Sequence, residues 1–134
     1  TYFKVESTKC AFTGSIKKGE VLYIPSAHGE GKFTVPPEDE ARVVKRLEDE
    51  GRIVFRYVNP ETGAYDGYPY NPNGSPSNIA ALSNEAGNVF GVMPHPERSY
   101  LGINHPDWYR RRQGEWGDGK QVFDSVVGYV GKRF

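Results

Sequence analysis

The 134 residues suffice for one domain, and 37% apolar content with nine tyrosines, sixteen glycines and ten prolines suits a compact domain rich in strands and turns. Seventeen basic residues balance seventeen acidic ones, which excludes a global field steering the chain to nucleic acid or to an anionic membrane. No apolar run approaches membrane-spanning length and no signal peptide is visible, while the single cysteine excludes an internal disulfide framework and fits a reducing compartment.

The chain opens on a β-rich segment, 2-YFKVES-7, and a second, 20-EVLYIPSAH-28, follows the basic turn 17-KKGE-20. A chain whose first residue already lies at a strand is expected to be part of a longer one. Helix signals are clearest over 36-PPEDEARVVKRLEDEG-51, with proline at the start, Glu38, Asp39 and Glu40 in the first turn, and Gly51 as the C-terminal cap. Val43, Val44 and Leu47 supply its buried stripe. An alternating strand is expected over 52-RIVFRYV-58. The long excursion 59-NPETGAYDGYPYNPNGSPSN-78 has the length of a functional or disordered loop; Tyr65, Tyr68, Pro69, Tyr70 and Pro72 favour an ordered one. Strands over 79-IAALSN-84 and 88-NVFGVMP-94 join through 84-NEAG-87, and 121-QVFDSVVGYVGKRF-134 closes the chain as an amphipathic helix. Strands alternating with two helices, with no repeat and no linker, imply one α/β domain over 1–134.

Chemistry concentrates in 91-GVMPHPERSY-100. Proline fixes its own φ and disfavours helical geometry in the residue before it, so Met93 and His95 are pushed toward extended backbone. Residues i and i+2 of an extended segment project to one side, which aims His95 and Glu97 together. An imidazole beside a carboxylate is the base-and-orienter half of a nucleophilic triad; the alternative is a stiff turn with capping side chains. A second His-x-Glu pair, His28 and Glu30 in 26-SAHGEGKF-33, stands between glycines that permit close backbone approach, and by itself reads as a glycine-rich turn. Two such pairs raise a metal hypothesis, but one cysteine cannot complete the zinc-deaminase pattern, and the prolines leave little freedom to wrap ligands round iron or manganese. No metal and no cofactor are expected in this chain. Cys10, in 8-TKCAFT-13, lacks the small neighbours and following helix of a nucleophile elbow, although Lys9 stands next to it; it reads as a small buried or half-exposed residue. The sequon Asn73-Gly74-Ser75 carries no weight without a secretory signal, and 109-YRRRQ-113 reads as a solvated basic face.

Taken together, 25-PSAHGEGKF-33, 57-YVNPETGAYDGYPYNPNGSPSNIAAL-82 and 91-GVMPHPER-98 resemble the glutaminase subunit or domain of phosphoribosylformylglycinamidine synthase, a class I, triad-type glutamine amidotransferase of purine biosynthesis. M-P-H-P-E-R is the most specific of these motifs. One departure is 78-NIAAL-82, where the family commonly has glycine after the alanine; it is expected to affect packing only. The resemblance implies a flavodoxin-like fold, a mixed sheet flanked by helices. It makes His95 the general base and Glu97 its orienting carboxylate in a Cys-His-Glu triad. The family's nucleophile lies in a G-x-C-x-G elbow, absent here, so the chain resembles the C-terminal half of the domain, with the N-terminal half as its structural partner.

The same resemblance implies L-glutamine as substrate, a cytoplasmic location, and a synthetase partner that holds ATP and Mg and takes up the ammonia. It covers the 26–31 loop and the 59–78 excursion without assigning their roles; His28, Glu30 and Asn78 within them are taken as candidates for the border of the glutamine pocket or of the synthetase interface. By itself the chain is expected to be inactive. A non-catalytic binding or structural module that keeps the amidotransferase fold is the alternative, and a metal-dependent enzyme a more distant one.

Overall fold

A computed structural model describes residues 1–111 and 114–133. Arg112 and Gln113 of the basic run, and Phe134 at the end of the expected last helix, lie outside the described residues. Five strands, β1 (Tyr2–Val5), β2 (Val21–Tyr23), β3 (Ile53–Tyr57), β4 (Ile79–Ser83) and β5 (Phe90–Val92), form one sheet in the order β2-β1-β3-β4-β5. Among the described residues three α-helices accompany it: α1 (Glu40–Asp49), α2 (Trp108–Arg111) and α3 (Lys120–Gly131). The α/β class is as expected from the sequence. The mixed sheet is not what these strands form, because all four pairings are antiparallel. Short connections such as 84–89 favour this arrangement, since a parallel pair needs a crossover of about a dozen residues or more.

The helix expected over 36–51 divides into a 3-10 turn, Pro37–Asp39, and α1. At its C-terminus Gly51 adopts φ +68°; its N–H donates to the Glu48 carbonyl and the Arg52 N–H to that of Leu47. That is a Schellman cap, for which glycine is the residue of choice. Val44 and Leu47 pack with Ile53 and Ile79, and Val43 is half-buried beside them. The outer face of α1 is laced by Arg42–Asp39, Lys45–Asp49 and Arg46–Glu50 ion pairs.

β3 departs from the alternating pattern. Ile53, Val54 and Phe55 are all buried, with Ile53 in the cluster under α1 and Val54 and Phe55 in a larger one with Phe3, Val5, Leu22 and Ile24. The strand is covered on both faces, so neither face has to be polar. Ala81 is 2% exposed in the larger cluster.

α3 begins one residue earlier than expected and buries only a narrow stripe, Val122 and Ser125, while Phe123, Val127 and Val130 remain exposed. The Ser125 hydroxyl donates to the Ala11 carbonyl, fixing the helix to the 10–16 turns. The 59–78 excursion is ordered, with Tyr65 tied to Glu6 by its hydroxyl and lying against the Lys4 ammonium. Tyr68 is 85% exposed; Asn59, Asn71 and Ser75 are the buried residues. The Asn71 amide donates to the Ser75 carbonyl and accepts from the Ser75 N–H, and Asn59 donates to Asp66. Polar side chains that satisfy the loop's own backbone allow it to be buried, which an aromatic anchor could not do.

Candidate active site

β5 is an edge of the sheet among the described strands, and its exit carries the chain through Met93 and Pro94 to His95. The Met93 N–H donates to the Ala80 carbonyl, and Pro94 forms an antiparallel bridge with Ser26. His95 is extended (φ −98°, ψ 92°), as the flanking prolines require, and its N–H donates to the Pro25 carbonyl. The extended geometry then stops. Pro96 opens a 3-10 turn, Pro96–Ser99, with Glu97 inside it and the Arg98 N–H donating to the His95 carbonyl. Proline at the first position of a helical turn explains the switch. His95 and Glu97 therefore meet across a strand-to-turn corner, not along a strand as the spacing suggested.

The meeting is close. His95 Nδ1 lies 2.7 Å from Glu97 Oε1 and Nε2 lies 3.2 Å from the Ala27 carbonyl. A carboxylate and a carbonyl can only accept, so the ring satisfies both contacts only with a proton on each nitrogen. With Nε2 bare it keeps the Glu97 bond and presents a lone pair. Burial works to raise the Glu97 pKa. Its backbone amide, the His95 hydrogen bond and the charges of His95 and Arg98 outweigh that and hold the carboxyl below its ordinary value.

The turn bearing Glu97 is braced from behind by 117-GDG-119. The Gly119 N–H donates to the Ser99 carbonyl and hydroxyl, and that of Gly117 to the Tyr100 carbonyl. A Cβ at Gly119 would stand 2.0 Å from the Pro96 carbonyl oxygen, so only glycine permits the approach. Asp118 accepts from the Tyr23 N–H at 2.7 Å, linking the brace to β2. Sequence reasoning did not single out these residues; two glycines round an aspartate directly before an apolar helix were the only local signal.

The second His-x-Glu segment lies against the first without forming a pair. His28 is half-buried and its Nδ1 has no hydrogen-bond partner among the described residues, whereas Glu30 is exposed. Gly31 sits on Met93, where a Cβ would come 2.0 Å from Met93 Cε and 2.8 Å from His28 Cβ. The Asn73 amide donates to the Gly31 carbonyl, and the Phe33 N–H to the Ser75 hydroxyl. The 25–33 loop is thus fastened to the His95 segment at one end and to the 71–75 turn at the other. Beside it runs an apolar groove of about 280 Å³ lined by Glu30, Gly31, Phe33, Leu82, Gly91 and Met93 among others.

Asn78 is placed apart from the pair. It holds φ +57° after Ser77 at φ +48°, and its amide donates to the Tyr65 carbonyl within its own loop. A larger cleft, about 560 Å³ and lined by Glu6, Lys9, Lys18, Glu48 and Arg56, shares no lining residue with the pair. Cys10 is 1% exposed, and burial pushes its thiol up against a weaker opposing hydrogen bond from Phe12. Such a thiol stays protonated and shielded at neutral pH. Among the described residues no three His, Cys, Asp or Glu side chains are grouped to hold a metal ion. No helix among them is long and apolar enough to cross a membrane.

Comparison with known proteins identifies the family. The chain is 48% identical over 132 residues to phosphoribosylformylglycinamidine synthase subunit PurQ of Archaeoglobus fulgidus, covering 98% of this chain and 46% of that protein. The corresponding subunit of Methanosarcina barkeri is 38% identical over 134 residues, of which 51% of its length is covered. The chain therefore spans about half the length of the curated relatives it matches. Among solved structures, that of PurLQS from Thermotoga maritima superposes with a TM-score of 0.65 at 32% identity, covering 96% of this chain and 45% of the other. Residues 1–130 match the model of the CobB/CobQ-like glutamine amidotransferase domain, and the chain belongs to that family.

Proposed function

We propose that this chain contributes the base and its orienting carboxylate to the glutaminase component of phosphoribosylformylglycinamidine synthase. The observation that carries the reading is the His95–Glu97 pair, 2.7 Å apart on a proline-stiffened corner, in a chain of the amidotransferase family. Relatives that bear the name of that synthase subunit support the substrate assignment.

In this reading the nucleophile is a cysteine supplied by the part of the domain that this chain does not span. The chain is the C-terminal half, and parallel strands from the other half extend its antiparallel sheet into the mixed, flavodoxin-like one. His95 Nε2 takes the thiol proton, and the thiolate attacks the side-chain amide carbon of glutamine. Backbone amides near the nucleophile stabilise the tetrahedral oxyanion. Collapse breaks the C–N bond; His95 returns the proton to the leaving ammonia, and a glutamyl thioester remains. Water, deprotonated by His95, then hydrolyses the thioester to glutamate. Glu97 keeps the proton on Nδ1 and stabilises the charged ring, as the acidic member does in other triads. The 26–31 loop with His28 and Glu30, and the 59–78 excursion with Asn78, border the glutamine pocket or the synthetase interface. Ammonia passes to an ATP-dependent synthetase that converts formylglycinamide ribonucleotide to its amidine, with ATP and Mg held by that partner, in the cytoplasm.

The test is ammonia release from glutamine, measured by coupled assay on the 134-residue chain and on the full-length protein that carries it. The expected result is release by the full-length protein with its synthetase and none by the chain alone. Release by the chain alone would overturn the divided triad. No release from the full-length complex would favour a non-catalytic module.

A further inference from the structure

The two members of the His95–Glu97 pair are held in place by different means. The His95 N–H donates to the Pro25 carbonyl at 2.8 Å, which sets the imidazole relative to the exit of β2. The Glu97 side chain is 58% exposed, so packing does not fix it and the backbone of the Pro96–Ser99 turn has to place its carboxylate. Both ends of that turn rest on Gly119. The Gly119 N–H donates to the Ser99 carbonyl at 3.0 Å and to the Ser99 hydroxyl at 3.1 Å, and Ser99 is fully buried. A Cβ at Gly119 would collide with the Pro96 carbonyl oxygen, and one at Gly117 with that of Ser99.

Between these glycines stands Asp118, half-buried, whose Oδ2 accepts from the Tyr23 N–H at 2.7 Å. Tyr23 is the last residue of β2, two positions before Pro25. β2 is the second edge of the sheet among the described strands, and at Tyr23 a carboxylate occupies the place of a neighbouring strand's carbonyl. Residues 23–25 thus hold both members of the pair. They reach His95 through the Pro25 carbonyl, and the Glu97 turn through Asp118 and Gly119.

We propose that Asp118 is a positioning residue for the amidotransferase reaction: by accepting from the Tyr23 N–H it locks the 117–119 brace, and with it the Glu97 turn, to the strand end that holds His95. This inference rests on the function proposed above. Without the tie, the turn keeps its contact with Gly119, but brace and turn shift together relative to Pro25. A displaced Glu97 carboxylate then holds the Nδ1 proton less well when Nε2 takes the proton of the nucleophilic thiol. The donor is a neutral amide, so any oxygen acceptor at the Oδ2 position serves, charged or not.

The experiment uses the full-length amidotransferase with its synthetase. Asp118→Ala is expected to lower kcat for glutamine hydrolysis about tenfold while KM stays within about twofold, as a small misplacement of a reacting group does. Asp118→Asn, which keeps the acceptor, should stay within about twofold of the wild type in both. In a Glu97→Gln background, where no carboxylate is left to place, adding Asp118→Ala should cost less than about twofold. Ser99→Ala removes one acceptor of the Gly119 N–H and carries the same cycle, with a loss of about threefold, if Asp118→Ala fails to fold. A lowered Tm with wild-type kcat overturns the inference, as does a rise in KM alone. So does an Asn variant as slow as the Ala one, or an undiminished loss from Asp118→Ala on top of Glu97→Gln. An inactive wild-type complex sinks the amidotransferase reading and this inference with it, whereas an active wild type matched by Asp118→Ala sinks the inference only.

Discussion

Two segments of this chain share the spacing His-x-Glu, and only one of them makes a side-chain pair. His95 and Glu97 are separated by Pro96 and preceded by Pro94, and their side chains meet at 2.7 Å. His28 and Glu30 are separated by Gly29 and followed by Gly31; one is half-buried with an Nδ1 that has no partner among the described residues, and the other is exposed. Proline removes backbone freedom in advance, so little entropy is lost when the pair forms. Glycine has the opposite effect on side-chain geometry but lets backbone approach backbone, and here it lets the second segment lie on Met93 and reach His95 with a carbonyl. Spacing alone does not distinguish a bonded side-chain pair from a clasp; the residues between and beside the two positions do.

The largest expected effect separates the two histidines. In the full-length complex, His95→Ala should reduce glutaminase kcat by about 10³-fold or more, as loss of a triad base does, and His28→Ala by about tenfold or less. Equal losses would erase the distinction drawn here. Next comes Glu97→Gln, which keeps the shape but offers the ring an amide, and should cost about 10²- to 10⁴-fold in kcat with little change in KM. Because the Glu97 carboxyl is held below 4.5, the contribution of its charged form to the folded state is present above pH 4.5. It is lost as the pH falls through the lower, folded value. The His95 imidazole resonances should report the pair intact at pH 5 and broken only below that ordinary value; a pair that comes apart well above it would contradict the structure. The smallest effect tests the clasp. Gly31→Ala should destabilise by about 1–2 kcal/mol through the Met93 clash, and combining it with Met93→Ala should be less than additive in urea unfolding. Strict additivity would mean that the loop does not rest on Met93.

A second contrast concerns the helices. α1 closes its outer face with three ion pairs, while α3 leaves Phe123, Val127 and Val130 on the surface at helical spacing. Both segments read from the sequence as ordinary amphipathic helices. The difference lies in what the rest of the fold covers, which a local pattern does not encode.

What the sequence determined by itself was local: α1 with its proline start and glycine cap, the five strand segments, and the direction of His95 and Glu97 toward each other. Each of these follows from backbone restriction or from a period of 3.6 or 2 within a dozen residues. The tertiary structure decided the rest. It paired all five strands antiparallel, covered β3 on both faces, buried Asn59, Asn71 and Ser75 in place of the tyrosines, and pressed Gly119 against the Pro96 carbonyl. It also brought the carbonyl of Ala27, 68 positions away in the chain, to the His95 Nε2. These are contacts between segments far apart in sequence, and their free energy comes from surfaces that exist only once both partners are folded.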